Sequence, residues 1–259
     1  MGIQIIWSHV VFEETAVGIC DALFMSGFHA DLVYRDFEWS GFRKDVLYVI
    51  LGLHRKRVNC SELPDKYIAV QAEQIGSKWM TKLYLQNLRE ALCVWDFSPR
   101  NCSFFRSLGI TCYNVGTRVP MEIFYPGSLS RKQHFSRVRE KDIDVLFYSA
   151  RCPRRQDLER NLSKTTSLKV VFRYNDLFRE EREDLISRSK IVLNVHYWPS
   201  ASLETHRVEY LCSRGKCVLS ERSSDPELDL EYSNCVAFFP LSKMVEAVEL
   251  YAISDKLRE

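Results

Sequence analysis

The sequence predicts an α/β protein made of two parallel-sheet domains. Three observations predict it: short apolar runs alternate with helical patterns along the chain, the strongest runs are apolar on both faces, and a polar, turn-rich stretch interrupts the pattern near the middle. The composition agrees. Of 259 residues, 46% are hydrophobic, 36 Lys+Arg stand against 34 Asp+Glu, and Gly and Pro number only 10 and 8. That is the balance of a folded globular chain, long enough to bury a sizeable core.

In order, the runs at 3–7, 31–34, 46–53, 67–71, 91–95 and 112–115 read as strands of a first half. Those at 145–148, 169–172, 191–195, 216–220 and 236–239 read as strands of a second. Val46-Leu47-Tyr48-Val49-Ile50-Leu51 is apolar at successive positions, as a strand covered by helices on both faces must be. Helical patterns fall at 14–26, 77–90, 154–162, 179–189, 204–213 and 242–251, with one shorter helix after Pro99. Pro126-Gly127-Ser128 is a turn signal, and residues 131–141 are basic and aperiodic. The expected domains are therefore 1–130 and 142–259, joined by a linker at 131–141 and enclosing a cleft.

Several classes lose support. Residues 1–140 carry 17 Lys+Arg against 14 Asp+Glu and residues 141–259 carry 19 against 20, so no basic tail or face calls for nucleic acid as a partner. The longest apolar run, 46–53, is far short of the roughly 20 residues of a membrane-spanning helix. Met1-Gly2-Ile3-Gln4-Ile5-Ile6-Trp7 has no basic region before its apolar one and reads as a strand, which makes the cytoplasm the expected location. Nine cysteines without a Cys-x-x-Cys pair read as reduced, mostly buried thiols, and no metal site is expected. Gly-x-Gly-x-x-Gly, the P-loop and Gly-x-Ser-x-Gly are all absent.

Open parallel sheets bind ligands beyond the carboxyl ends of their strands. The most informative such segment runs from Lys190-Ile191-Val192-Leu193-Asn194-Val195-His196 through a polar loop and the helix 204–213 to Gly215-Lys216-Cys217-Val218. Free N–H groups at such a helix start suit a diphosphate. This segment resembles the donor half of GT-B glycosyltransferases. Tyr67-Ile68-Ala69-Val70-Gln71-Ala72-Glu73-Gln74 and Val94-Trp95-Asp96-Phe97-Ser98-Pro99-Arg100-Asn101 extend the resemblance to the first half. There the chain is similar to small glycosyltransferases of bacteria and of large DNA viruses, including those that build chlorella-virus glycans.

The resemblance implies two Rossmann-like domains facing a cleft, in a minimal GT-B architecture. It also implies transfer of a sugar from a nucleoside-diphosphate donor, with UDP the expected nucleotide, to a glycan or other hydroxyl acceptor held by the first half. It further implies that no cofactor and no metal ion is required, since a GT-B site offsets leaving-group charge with Arg, Lys and helix dipoles. A non-catalytic sugar-nucleotide or glycan-binding module, a phosphorylase and a sugar-nucleotide epimerase share this outline, and fold alone does not separate them.

Glu209 matches the helix glutamate that holds the ribose hydroxyls in such enzymes, at the rim of the cleft, and Arg207 sits where a cation meets the diphosphate. On an ideal helix the two point about 160° apart, so one of them is structural. The second acidic residue of the retaining pattern is expected at Ala201, with Glu204 nearby; an exposed Glu204–Arg207 ion pair is the competing reading. His196 is either a packed, hydrogen-bonded histidine or a donor contact. Arg151 and Arg154, in Ser149-Ala150-Arg151-Cys152-Pro153-Arg154-Arg155, are either diphosphate ligands or part of a solvated helix start. For an inverting reaction the acceptor-side base follows strand one, Glu13 or Glu14 with His9 in reserve and Glu73 and Asp96 behind them. Glu13 and Glu14 serve equally well as dipole partners of the next helix.

Overall fold

The computed structural model describes residues 2–35, 39–55, 58–115 and 140–258. The chain divides into two compact units, residues 1–132 and 133–259. Of the expected linker, residues 131–139 lie outside the described residues.

The first unit contains β1 (Gly2–Trp7), α1 (Glu13–Met25), β2 (Ala30–Tyr34), β3 (Val46–Leu51), β4 (Tyr67–Gln71), α2 (Lys82–Glu90), β5 (Cys93–Asp96), α3 (Pro99–Ser107) and β6 (Cys112–Asn114). Its strands form one parallel sheet in the order β2-β1-β3-β4-β5-β6. Successive residues of the apolar strands enter opposite cores. Ile5, Val49, Leu51 and Val70 pack with Phe12, Ala16 and Cys20 beneath α1, whereas Ile6, Tyr48, Ile50 and Ala69 pack with Tyr84, Leu88 and Phe105 beneath α2 and α3.

The second unit contains β7 (Ile143–Ser149), α4 (Pro153–Thr165), β8 (Val170–Tyr174), α5 (Arg179–Arg188), β9 (Ser189–Asn194), α6 (Thr205–Ser213), β10 (Cys217–Glu221), α7 (Pro226–Glu231), β11 (Val236–Phe239), α8 (Met244–Ile253) and the single turn α9 (Asp255–Arg258). Its sheet is also parallel, in the order β11-β10-β9-β7-β8. Leu146 and Val192 face α5 and α6; Val145, Phe147, Ile191 and Leu193 face α4 and α8.

All eleven expected strands are present, and the differences lie at their ends. The third stops at Leu51 because Gly52 turns the chain at φ +80°. A Cβ on Gly52 would sit 2.6 Å from the Phe12 ring and 2.6 Å from Ser8 Oγ, a separation only glycine tolerates. The helix expected over 77–90 begins at Lys82, since Thr81 Oγ1 caps it by accepting the Tyr84 N–H at 3.1 Å. Residues 77–80 form turns instead, in which Ser77 N–H donates to Gln74 O and Met80 N–H to Ser77 O. No cysteine is in a disulfide; Cys20, Cys102, Cys112 and Cys152 are buried and Cys235 is exposed. Among the described residues, no helix is long and apolar enough to cross a membrane.

Candidate functional site

Both sheets reverse their strand order once, between the first and third strands of the unit: β1 and β3 in the first, β7 and β9 in the second. Such a switch point leaves a crevice beyond the carboxyl ends, because the connections leave it in opposite directions.

In the second unit Ser149 ends β7 and Asn194 ends β9, and Arg207 bridges them. Its guanidinium donates to Ser149 Oγ at 2.7 Å and approaches Asn194 Oδ1 at 3.4 Å, with its carbon 5.3 Å from the Tyr148 ring. Asn194 is fixed from the other side by Glu204 Oε2 and Ser220 Oγ, both at 3.0 Å from its Nδ2. Arg155, 2% exposed, donates to Val195 O, Ala150 O and Ser149 Oγ, all neutral acceptors. Burial and the neighbouring Arg207 together lower its pKa to about 10.

The remaining charges are matched. Arg154 forms a two-pronged pair with Glu221 at 2.8 and 2.5 Å and also donates to His196 O. His196 is wholly buried, its Nδ1 2.7 Å from Glu204 Oε2 and its Nε2 3.1 Å from Glu221 O. Burial works to lower the His196 pKa, but the Glu204 charge and hydrogen bond raise it overall. Burial likewise works to raise the Glu204 pKa, but the charge of His196, their hydrogen bond and Arg207 hold it at about 2. With the Arg154–Glu221 and His196–Glu204 pairs balanced, Arg155 and Arg207 leave this edge cationic, and the exposed Arg151 adds to it from above the Tyr174 ring at 5.0 Å. Guanidinium charge in excess at a strand-end edge suits an anion.

These placements sort the expected residues. Arg207 and Arg151 stand at the cationic edge. Arg154 is engaged by Glu221, so it anchors α4 to the ends of β9 and β10. His196 is the packed, hydrogen-bonded histidine. Glu204 precedes α6 and turns to His196 rather than to Arg207 in an exposed ion pair. Glu209 is not at a rim: it is 8% exposed, and its carboxylate accepts the Tyr232 hydroxyl just beyond α7. The divergence of positions 207 and 209 around the helix thus resolves with the arginine at the strand ends and the glutamate inward.

In the first unit, Glu13 and Glu14 are not in a loop but open α1, one residue earlier than the pattern predicts. His9 caps the preceding 3-10 turn, its Nδ1 accepting the Val11 N–H at 3.3 Å. Asp96 is 1% exposed and accepts from Ser98 N–H, Gln71 Nε2 and Asn101 Nδ2; burial raises its pKa to about 7 against those three bonds. Ser8, after β1, donates to Gly52 O at 3.2 Å across the switch point. Glu73 lies beyond β4 with its Oε1 3.1 Å from Nε2 of His54. Sequence reasoning did not single out His54, Asn194, Glu221 or Ser149 as site residues. The signal present was a polar residue closing an apolar run, as in Leu51-Gly52-Leu53-His54 and Val218-Leu219-Ser220-Glu221.

No protein-family model matches the chain, and no curated protein matches it significantly. Solved structures do. A DNA-modifying β-glucosyltransferase, determined with and without uridine diphosphoglucose, superimposes with a TM-score of 0.56 at 12% identity, over 100% of this chain and 91% of that one. The UDP-GlcNAc 2-epimerase of Methanocaldococcus jannaschii gives 0.56 at 11% identity over 98% and 94%. The Anabaena protein HepE in complex with UDP gives 0.53 at 12% over 100% and 91%. At these identities the likeness establishes the fold: two Rossmann-like α/β units of the GT-B type.

Proposed function

We propose that the chain is a glycosyltransferase that moves a sugar from a nucleoside-diphosphate donor, with UDP the expected nucleotide, to a hydroxyl acceptor such as a glycan. The observation that carries this reading is Arg207, held on Ser149 and Asn194 at the switch point of the second sheet with Arg155 buried behind it. There the donor diphosphate meets the Arg207 guanidinium and the start of α6, with the charge of the buried Arg155 behind them. When the anomeric C–O bond breaks, the electron pair stays on the diphosphate, and the same cations stabilise the growing charge. In this reading Arg151 closes over the phosphates and the first unit holds the acceptor. The chemistry of these side chains supplies charge stabilisation without a metal ion, so turnover is expected to persist in EDTA.

The UDP-GlcNAc 2-epimerase among the neighbours favours a second reading, in which the same donor site serves epimerisation of a UDP-sugar. A thermal-shift screen of UDP-, GDP- and TDP-sugars followed by assay separates the two. Donor binding raises the melting temperature in proportion to ln(1 + [L]/Kd), about 2.7 kcal/mol at a hundredfold excess. Acceptor-dependent release of UDP supports transfer; interconversion of free donor without acceptor supports epimerisation. No shift with any sugar nucleotide would overturn both.

A further inference from the structure

The nine thiols differ in what surrounds them. Cys102 on α3 and Cys112 on β6 hold their sulfurs 3.4 Å apart, but at 0% and 2% exposure they are closed to any reagent in solution. Burial raises the Cys112 pKa and the Cys102 thiol raises it further, so this pair packs as two small apolar groups. The second unit arranges its cysteines otherwise. Cys212 stands half-buried in the last turn of α6, and Cys235 is exposed in the turn that leads into β11. The Cys212 thiol donates to Cys235 O at 3.6 Å and is in hydrogen-bond contact with the Cys235 thiol.

The main chain holds this contact in place. The Cys235 and Val236 N–H groups both donate to Tyr232 O at 3.0 Å, and the Cys235 thiol turns to the same oxygen at 3.4 Å. The Tyr232 hydroxyl in turn donates to Glu209, three residues before Cys212 on α6. Residues three apart share one face of a helix, so Glu209 and Cys212 grip the same turn from the same side. Two segments 23 residues apart are thereby kept with their thiols together. Arg207 lies about 140° round the helix from Cys212, away from this contact. Access sets the order in which the two thiols can react. Burial raises the Cys212 pKa to about 12, with the charge and hydrogen bond of Cys235 adding to it, whereas Cys235 is open to solvent and meets a reagent first.

We propose that Cys212 and Cys235 form a reversible thiol–disulfide site that reacts with small disulfides of the glutathione class. The Cys235 thiolate attacks one sulfur of the small disulfide, whose S–S bond breaks and releases one thiol. The Cys212 thiolate then attacks Cys235 Sγ, forms the protein disulfide and expels the second thiol. The two protons given up by the cysteines go to the two leaving thiolates, so two cysteines are oxidised and one small disulfide is reduced to two thiols. Once capped, Cys235 no longer sets a charge against Cys212, which eases the second step. The bridge closes residues 212–235 into a loop and ties the end of α6 to the start of β11, fixing the helix that carries Arg207. None of this depends on the glycosyltransferase reading.

The test treats the full chain with glutathione disulfide at about pH 8.5 for a day and reads intact mass, linked peptides and melting temperature. The wild-type chain is expected to lose two hydrogens, to yield one linked peptide joining positions 212 and 235, and to melt higher by about 3 °C or more, all reversed by dithiothreitol. Cys212→Ser should stop at a mixed disulfide between Cys235 and glutathione. Cys235→Ser should form no bridge and take up no glutathione at Cys212. Cys217→Ser removes the third thiol near Cys212 and should behave as the wild type. A wild-type chain that stays unmodified or stops at the mixed disulfide overturns the inference. So does a bridge mapped to Cys217 or to Cys102 and Cys112, or a bridged chain whose melting temperature is unchanged or lower. Bridge formation in a chain that binds no sugar nucleotide removes the donor reading and leaves this one standing.

Discussion

At the carboxyl ends of the first sheet, Asp96, Gln71 and Glu73 lead to a single imidazole; at those of the second, Arg154, Arg155 and Arg207 meet two carboxylates and a second imidazole. The strands run the same way in both, and the order reverses at the same place. Backbone topology therefore provides two equivalent crevices, and a handful of terminal side chains gives each its own charge pattern. In each, a histidine is paired with a glutamate, but the pairs differ in setting. Glu204 is drawn to about pKa 2 by His196 and Arg207, with Asn194 bound to the same oxygen, whereas Glu73 meets His54 on one side and solvent on the other. A carboxylate enclosed by cations and donors holds the loop in place; one left partly open keeps an oxygen toward water.

The largest effect expected from breaking this contrast is on the enclosed pair. Glu204→Ala strands the buried His196 ring and should destabilise the chain by about 3–5 kcal/mol in urea unfolding. A loss below about 1 kcal/mol would place Glu204 with the exposed pairs. Next is Arg207→Met, which removes the guanidinium from the crevice without opening the core. It should weaken sugar-nucleotide binding by roughly 1.5–3 kcal/mol in calorimetric titration, with little change in melting temperature. Unaltered affinity would shift the anion site to Arg151.

Glu209→Ala sharpens the comparison within α6 itself. Because Glu209 accepts the buried Tyr232 hydroxyl, its removal should cost about 1–3 kcal/mol of stability and leave donor affinity unchanged. Reduced affinity in a chain of wild-type stability would restore the ribose-binding role. The smallest effect is on pH. His196, raised from 6.5, contributes fully below about 6.5 and less as pH rises through its higher folded value. Glu204 contributes fully above 4.5 and less as pH falls toward about 2. Melting temperature should therefore be highest between those limits and decline on both sides. In Glu204→Gln, a curve as steep on the acid side as the wild type would show that other carboxylates govern it.

Most of the fold was legible because a two-sided parallel sheet leaves runs such as Val46–Leu51 that no amphipathic helix shares. Strand ends were less so: the apolar run continues through Leu53, and only the positive φ of Gly52 breaks the strand. At the candidate site, Arg207 was readable from its charge and its place after a strand. The pairings were not. That Glu204 faces back to His196, and that Arg154 is held by Glu221, depends on loops bringing together residues 8 and 67 positions apart. The inward position of Glu209 was not readable for a related reason, since helical periodicity gives the direction of a side chain relative to its neighbours but not which direction is inward.

The tight turn at Gly52 bears on how this protein tolerates change. A methyl group there would press on the Phe12 ring, and Phe12 walls in His54 together with Trp79 and Tyr84. The disturbance would reach the imidazole both along the chain, two residues on, and sideways through that ring. In a randomised library, codon 52 should return glycine almost without exception, and rare survivors should carry a compensating smaller side chain at position 12. Change at this edge then has to proceed through the residues around Glu73, because the pivot behind them has no room to move.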